Sequence, residues 1–495
     1  MKKTLNGAAV DLGASGGKVM LGSYDGTRVT LQKVYRFPNG PLQVKKSLYW
    51  DAPRLFSEVK KGLGMAGKLA RLDSIGLDAW GNDFCLLDRG GNLLENPHSY
   101  RDSRTEGVMQ KAFEVMSRGE IYRRSGVQFM QHNTLFQLYS MVLAGSPLLK
   151  SAATYLMIAD LFNYRLCGAK CCEFTNATTT QFFDLYKQDW CLPILEAFGI
   201  PVALMPPVVR PATRLGTLQS LLQDELGLTA LPVIAVGTHD TASAVSVVPA
   251  QDDSYAFLSS GTWSLLGAEV KEPLISDSGL EYNFSCYGGV GGAWLVWKNI
   301  QALWILQECM RVWEESGQQC RLNEIIGLAE QARPFGSLID VDGRLFLTPG
   351  DFPSRIIEYC VRTGQEPPDG RGAIVRCILE SLALKYRYAF EKLQVVLGRK
   401  LSRIHIVGGG SRNTLLNRFT AGATGVPVVA GPAEATALGN FMAQLMALGE
   451  VGSPSEVREI VSRSFDTVTY LNGDAAGWDE AYGRSIARKD TENIR

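Results

Sequence analysis

The sequence of 495 residues lacks a charge imbalance, since 50 Lys and Arg are matched by 50 Asp and Glu. A chain built to coat nucleic acid usually carries a basic excess, so no nucleic-acid partner is expected. It also lacks any apolar run near the ~20 residues that a helix needs to cross a bilayer. Asn6, Gly7 and Asp11 interrupt the N-terminus before an apolar run of signal-peptide length can form. The expectation is a cytoplasmic protein with no membrane partner. Histidine is scarce, and the four present, His98, His132, His239 and His405, are too dispersed for a metal-ligand array. The ten cysteines include no CxxC pair, and Cys167, Cys171 and Cys172 have no histidine near them. Such spacing does not build a structural zinc site, so buried free thiols are expected. No low-complexity linker divides the chain.

What is present is an ordinary globular composition, 46% hydrophobic and 20% charged. At about 150 residues per domain the length suits two to four domains. The chain opens with a strand-like run, Ala8–Leu12, a small-residue turn, Gly13–Gly17, and a second strand from Lys18. Val29–Tyr35 alternates as a third strand. An amphipathic helix is expected from Pro53 to about Leu72, then a buried strand over Ser74–Ala79, which is α/β grammar. Leu231–Val236 is another buried strand, closing on Gly237-Thr238-His239-Asp240. The pattern restarts in the second half: Tyr255–Leu258, the turn Ser259–Thr262, then Trp263–Val270. Helical periodicity follows over 299–316 and 373–397, and a strand over Ser402–Val407 leads into Gly408-Gly409-Gly410. The repeated order points to two domains of related architecture, with a boundary near residue 245.

Several motifs carry chemistry, each with a plainer alternative. The turn at Gly13–Lys18 can cradle a phosphate with backbone N–H groups, or be a simple hairpin; it is not a Walker A loop. Ser259–Thr262 offers a second such turn. Gly408–Gly410 lets a flat ligand lie on backbone, but Asn413 stands where a dinucleotide fingerprint needs its third glycine. Asp240, at the end of a buried strand, is either a helix N-cap or a general base for a hydroxyl nucleophile. Trp80 and Asp83 offer a stacking face and a hydroxyl acceptor that suit a sugar, or else a core Trp. Asn299 and Gln307, eight residues apart, are expected on one broad face of a helix, at the surface or in a pocket.

In collinear order, Val10-Asp11-Leu12-Gly13, Gly237-Thr238-His239-Asp240, Ser260-Gly261-Thr262-Trp263-Ser264 and Val407-Gly408-Gly409-Gly410 resemble the FGGY carbohydrate kinases, from Asp11 to about Asn440. Ser99–Arg104, Thr175–Gln181 and Trp297–Ile300 narrow the resemblance to members acting on L-rhamnulose. It implies an α/β, two-domain actin-like ATPase (ribonuclease H-like) fold with a ligand cleft between the domains. Residues 1–245 would hold the sugar and the first phosphate loop, and residues 246–495 the nucleotide. The implied reaction is ATP-dependent phosphorylation of L-rhamnulose at its 1-hydroxyl, with Mg2+ arriving on ATP. By the same resemblance Asp240 is the catalytic base. Ala14, Ser15, Gly16, Gly17, Lys18, Thr262, Gln307 and Gly409 match ATP-contacting positions. Gly81, His239, Thr241 and Asn299 match sugar-contacting positions, and Asp11 is similar to the acid facing the metal-bound phosphates. Lys18 and Asn82 depart from the family, which more often has Arg and an apolar residue there. Kinases of the same family acting on L-fuculose or D-xylulose are the alternative, and a non-catalytic sugar sensor would be expected to lose Asp240. A nicotinamide-linked dehydrogenase lacks its glycine fingerprint here.

Overall fold

The computed structural model describes residues 4–319, 321–471, 473 and 475–492, the side chains of 475, 476 and 487–492 excepted. The chain forms two compact units, and neither is one stretch of sequence. Unit 1 comprises Met1–Gln251, Glu269–Val296 and Glu434–Phe465; unit 2 comprises Asp252–Ala268, Trp297–Ala433 and Asp466–Arg495. The sequence reading expects one boundary near residue 245; the chain changes unit after Gln251, Ala268, Val296, Ala433 and Phe465.

Unit 1 is built on a six-stranded sheet ordered Thr213–Thr217, Pro232–Ala235, Ser74–Ala79, Leu5–Gly13, Gly16–Tyr24, Val29–Pro38. The middle strands Pro232–Ala235, Ser74–Ala79 and Leu5–Gly13 are parallel; the others join antiparallel. Parallel strands are covered on both faces, which is why Ala8, Ala9, Val10, Leu12, Ile75, Leu77 and Ala79 are all buried and read as continuous apolar runs. The helix Ala52–Leu69 starts where the Asp51 side chain accepts from the Arg54 N–H, with Pro53 in its first turn. It buries Leu55, Val59, Gly62, Leu63 and Ala66 along one stripe. Gly62 is needed there, because a Cβ would lie 2.3 Å from Val19 Cγ2 on the strand beneath.

Unit 2 repeats the order. Six strands of its sheet run Trp294–Gln301, Trp263–Val270, Tyr255–Ser260, Arg403–Val407, Val428–Ala430, Val468–Tyr470. Tyr255–Ser260 pairs antiparallel with Trp263–Val270 and parallel with Arg403–Val407, as Leu5–Gly13 pairs with Gly16–Tyr24 and Ser74–Ala79 in unit 1. The long helix Gly370–Leu397 packs on Thr414–Thr424 and Leu322–Gln331. Among the described residues no disulfide joins the cysteines, and all nine are free, Cys167 alone not being fully buried. No helix among the described residues is long and apolar enough to cross a membrane.

Candidate active site

In unit 1 the three parallel strands end side by side, and their carboxyl ends carry acids. Asp11 lies in register with Asp78 on the neighbouring strand. Asp240 follows the third strand and is the first residue of the helix Asp240–Ser246. His239, not Asp240, holds the N-cap position, so the N-cap reading of Asp240 is not met. The Thr241 N–H donates to Asp240 Oδ1 at 2.6 Å, and the Thr241 hydroxyl adds a second bond at 3.2 Å. Burial first, and then the negative charge of Asp11, push Asp240 up to about 7. Its side chain keeps 31% of its surface exposed, so the recess around the carboxyl produces this without closing it off. Burial and Asp11 also push Asp78 well above the ordinary carboxylate range. Asp78 was missed in the sequence; its one signal is an acid inside a fully buried strand.

Lys18 answers these acids. Its Nζ lies 3.0 Å from Asp11 Oδ2 and 2.7 Å from Glu434 Oε2. Burial alone would lower the ammonium, but Asp11 and Glu434 outweigh it and hold Lys18 above its ordinary value. The first small-residue turn is tighter than expected. Gly16, Gly17 and Lys18 already belong to the strand Gly16–Tyr24, and only Ala14 and Ser15 form the turn. Asn39 fixes it, donating from Nδ2 to Gly13 O at 2.9 Å. Gly17 is required by packing, since a Cβ there would sit 2.2 Å from the Phe37 ring.

The sugar-matched positions of unit 1 meet at one place. His239 bridges to Ala79, and the Ala79 N–H donates to Thr238 O at 2.9 Å. A Cβ on Gly81 would stand 2.9 Å from the His239 ring. Burial lowers His239 to about 4, so its ring is neutral at pH 7. Thr241 is buried beside Asp240. Asp83 does not serve as the expected hydroxyl acceptor. It is fully buried and accepts from Trp50 Nε1 at 2.6 Å, Trp80 Nε1 at 2.8 Å, Gln137 Nε2 at 3.1 Å and the Tyr100 N–H at 3.2 Å. Trp80 packs on Trp50, ring centroids 4.4 Å apart, and is a core residue.

Asn82 has a backbone reason. Its φ is 70°, the left-handed region that Asn tolerates and β-branched residues resist. Thr134 Oγ1 donates to Asn82 O at 2.7 Å and holds that conformation. Asn82→Val is expected to cost about 1–2 kcal/mol of stability, and Asn82→Gly close to nothing. Chemical denaturation of the two variants checks this; equal midpoints would remove the backbone argument.

Unit 2 assembles its own set. Gly261 and Thr262 form the turn between Tyr255–Ser260 and Trp263–Val270, and the Gly261 N–H donates to Trp263 O at 2.8 Å. The Thr262 hydroxyl reaches Gln307 Oε1 at 3.4 Å, joining two residues 45 apart in sequence. The three glycines after Arg403–Val407 differ in purpose. Gly408 has φ 84°, and a Cβ on Gly410 would lie 2.0 Å from Ser260 Oγ, so both serve close packing. Gly409 is exposed with nothing within 4 Å of its Cβ position, a bare face for a flat group. Asn299 is not on a helix with Gln307. It sits on the strand Trp294–Gln301, accepting from Trp297 Nε1 at 2.8 Å, and the helix Leu303–Glu315 starts after it. A side chain carried on a strand does not share the face of the helix that follows.

Among the described residues no group of three or more His, Cys, Asp and Glu is arranged to hold a metal ion by itself. The oxygen donors beside Lys18 nevertheless suit a hard cation that brings phosphates with it. Asp11 is a carboxylate, and Asp78 Oδ1 next to it is buried without a hydrogen-bond partner.

Residues 8–246 match the N-terminal domain model of the FGGY family of carbohydrate kinases, and residues 256–448 match its C-terminal domain model. The chain is 43% identical over 475 residues to rhamnulokinase of Bacteroides thetaiotaomicron, covering 96% of this chain and 97% of that one. It is 40% identical over 459 residues to rhamnulokinase of Klebsiella pneumoniae, covering 92% of each. In fold it is similar to gluconate kinase from Lactobacillus acidophilus, with TM-score 0.81 at 16% identity over 99% of this chain and 98% of that one. Plasmodium falciparum glycerol kinase with ADP gives TM-score 0.76 at 15% identity over 99% and 98%. Two family models that together span most of the sequence, and relatives matching over nearly its full length, lead to one conclusion: the chain belongs to the FGGY family of carbohydrate kinases.

Proposed function

We propose that this chain transfers the γ-phosphoryl group of ATP to the 1-hydroxyl of L-rhamnulose, in the cytoplasm. The substrate reading is supported by the rhamnulokinases that match over nearly its full length. The chemical reading is carried by one observation, the Asp240 carboxyl raised to about 7 at a strand end beside Asp11 and Lys18. A carboxylate so tuned accepts the proton of a sugar hydroxyl as the oxygen attacks phosphorus. Neutral His239, Gly81, Thr241 and Asn299 bind the sugar. Neutral His239 adds no positive charge beside Asp240.

Phosphoryl transfer needs positioning and charge stabilisation more than covalent help. The turn residues Ala14 and Ser15, with Gly16, Gly17 and Lys18, hold phosphate oxygens. Thr262, Gln307 and Gly409 contact the nucleotide. Asp11 would hold Mg2+, which would neutralise phosphate charge. Lys18 is anchored between Asp11 and Glu434, so its charge stays at a fixed point as phosphates arrive.

A coupled ADP-release assay over L-rhamnulose, L-fuculose and D-xylulose at saturating MgATP tests the substrate. L-Rhamnulose is expected to give the highest kcat/KM; a lead of about tenfold for either other ketose overturns the substrate while leaving the kinase reading standing. Gly261→Val tests the nucleotide side. Gly261 has no left-handed φ, and its Cβ position meets only Trp263 O at 3.8 Å, so the valine fits the free protein. ATP affinity is expected to fall by about tenfold or more, roughly 1.4 kcal/mol, with sugar affinity unchanged. Calorimetric titration with each ligand decides it, and unchanged ATP binding removes this turn from the nucleotide site.

A further inference from the structure

The turn that carries the proposed base is held by a buried carboxylate. Glu173 is fully buried and precedes the short helix Phe174–Ala177. Its Oε1 accepts from the Thr175 N–H at 3.0 Å. Its Oε2 accepts from the Thr238 N–H at 2.9 Å, from the Thr238 hydroxyl at 2.7 Å and from the Thr175 hydroxyl. That Thr175 hydroxyl in turn accepts the His239 N–H at 3.1 Å. Asn176 Nδ2 donates to Thr238 Oγ1 at 3.0 Å. The two backbone N–H groups of Thr238 and His239, just before Asp240, therefore end on Glu173 directly or through one hydroxyl.

The arrangement needs an acceptor at each carboxyl oxygen. A hydroxyl can turn round and accept, but a backbone N–H cannot. Each oxygen of Glu173 faces one such fixed donor, Thr175 N–H on one and Thr238 N–H on the other. A glutamine has a single acceptor oxygen, so either orientation sets an NH2 group against an N–H. Asp160 closes the back of the site by accepting the N–H of Glu173 itself at 3.2 Å.

We propose that Glu173, acting through Thr175 and Thr238, is a positioning residue for phosphoryl transfer: it fixes the turn 238–239 and thereby the attack geometry at Asp240. This rests on the reading of Asp240 as the base. A displacement of about 1 Å in a reacting group can cost on the order of 10²-fold in rate, so a clamp two residues from the base acts on kcat. The clamp touches neither the Ala14–Ser15 turn nor Lys18, so it does not act on ATP affinity.

The test compares Glu173→Gln, Thr175→Val, Thr175→Ser and Asp240→Asn in the full chain, with L-rhamnulose and MgATP. Glu173→Gln and Thr175→Val are expected to lower kcat by about tenfold or more with KM for ATP within about twofold. Thr175→Ser keeps the hydroxyl and is expected to recover most of the turnover lost in Thr175→Val. Unfolding midpoints are measured in parallel, and Thr175→Val decides the matter if Glu173→Gln does not fold. A folded Thr175→Val with unaltered kcat, while Asp240→Asn is inactive, overturns the positioning role alone. Full turnover in Asp240→Asn overturns the base reading, and this inference with it.

Discussion

Asp240→Asn is expected to lower kcat by about 10²–10⁴ while the fold and ATP affinity stay in place. The amide keeps the shape and can still accept the Thr241 N–H, which is the local bond the helix start uses. What it loses is the ability to take a proton. Removing the charge also relieves repulsion with Asp11, so no loss of stability is expected from that pair. The unaltered protein should show a matching pH dependence. In the proposed role Asp240 acts when ionised, so kcat/KM for the sugar is expected to rise with pH through about 7, the value to which burial and Asp11 push it. In Asp240→Asn that limb should vanish from the residual activity. Steady-state rates from pH 5 to 9, with calorimetric ATP titration beside them, make the measurement. A variant that keeps near-unaltered turnover and the same acidic limb excludes Asp240 as the base.

Gly439→Ala is expected to cost about 1–3 kcal/mol of stability and to lower kcat as well, although Gly439 touches no ligand position. The helix Ala435–Ala447 crosses the helix Asp240–Ser246 within unit 1. A Cβ on Gly439 would lie 1.9 Å from Ser243 O and 2.5 Å from Ser243 C. Those atoms are backbone, so no rotamer change relieves the clash. The helices must separate, and the one that moves begins at Asp240. Polar contacts oppose such a shift. Asn440 Nδ2 donates to Asp78 Oδ2 at 2.6 Å, and Gln444 Nε2 donates to Ala8 O at 3.1 Å. The strain therefore reaches both Asp240 and Asp78, the acid beside Asp11. Gly40→Ala is the control, since nothing lies within 4 Å of that Cβ position. Denaturation and kcat are compared for both variants. If Gly439→Ala unfolds and turns over like Gly40→Ala, the two helices are not locked by backbone contact.

Local chemistry was legible in the sequence because it depends on near neighbours. Ser74–Ala79 reads as a buried strand since every residue in it is apolar or enclosed, and the strand occurs where expected. The helix expected from Pro53 to about Leu72 is Ala52–Leu69, its start set by Asp51 and Pro53. The repeated strand, turn and strand at Ala8 and Tyr255 is real in both sheets, because alternation and small turn residues are short-range signals. Expectations that leaned on a single period fared worse. Asn299 and Gln307 fit helical spacing, but Trp294–Gln301 pairs into a sheet, and sheet pairing is decided by partners far away in sequence. Asp83 looked like a ligand for a hydroxyl, yet Trp50, Tyr100 and Gln137 arrive from elsewhere and use its carboxylate up.

By itself, then, the sequence determined the α/β class, the places where strands end in polar residues, and the family. The tertiary structure alone decided what those polar ends meet. Lys18 and Glu434 are 416 residues apart and form one ion pair. Asn440 lies 362 residues from Asp78 and binds its carboxylate. Glu173 lies 65 residues from Thr238 and holds the turn before Asp240. No periodicity links such residues, because the segment Glu434–Phe465 returns to unit 1 only once the chain is folded. The charge state of Asp240 is of the same kind. A free aspartate titrates near ~4, and only burial beside Asp11, brought from the first strand, pushes Asp240 up to about 7.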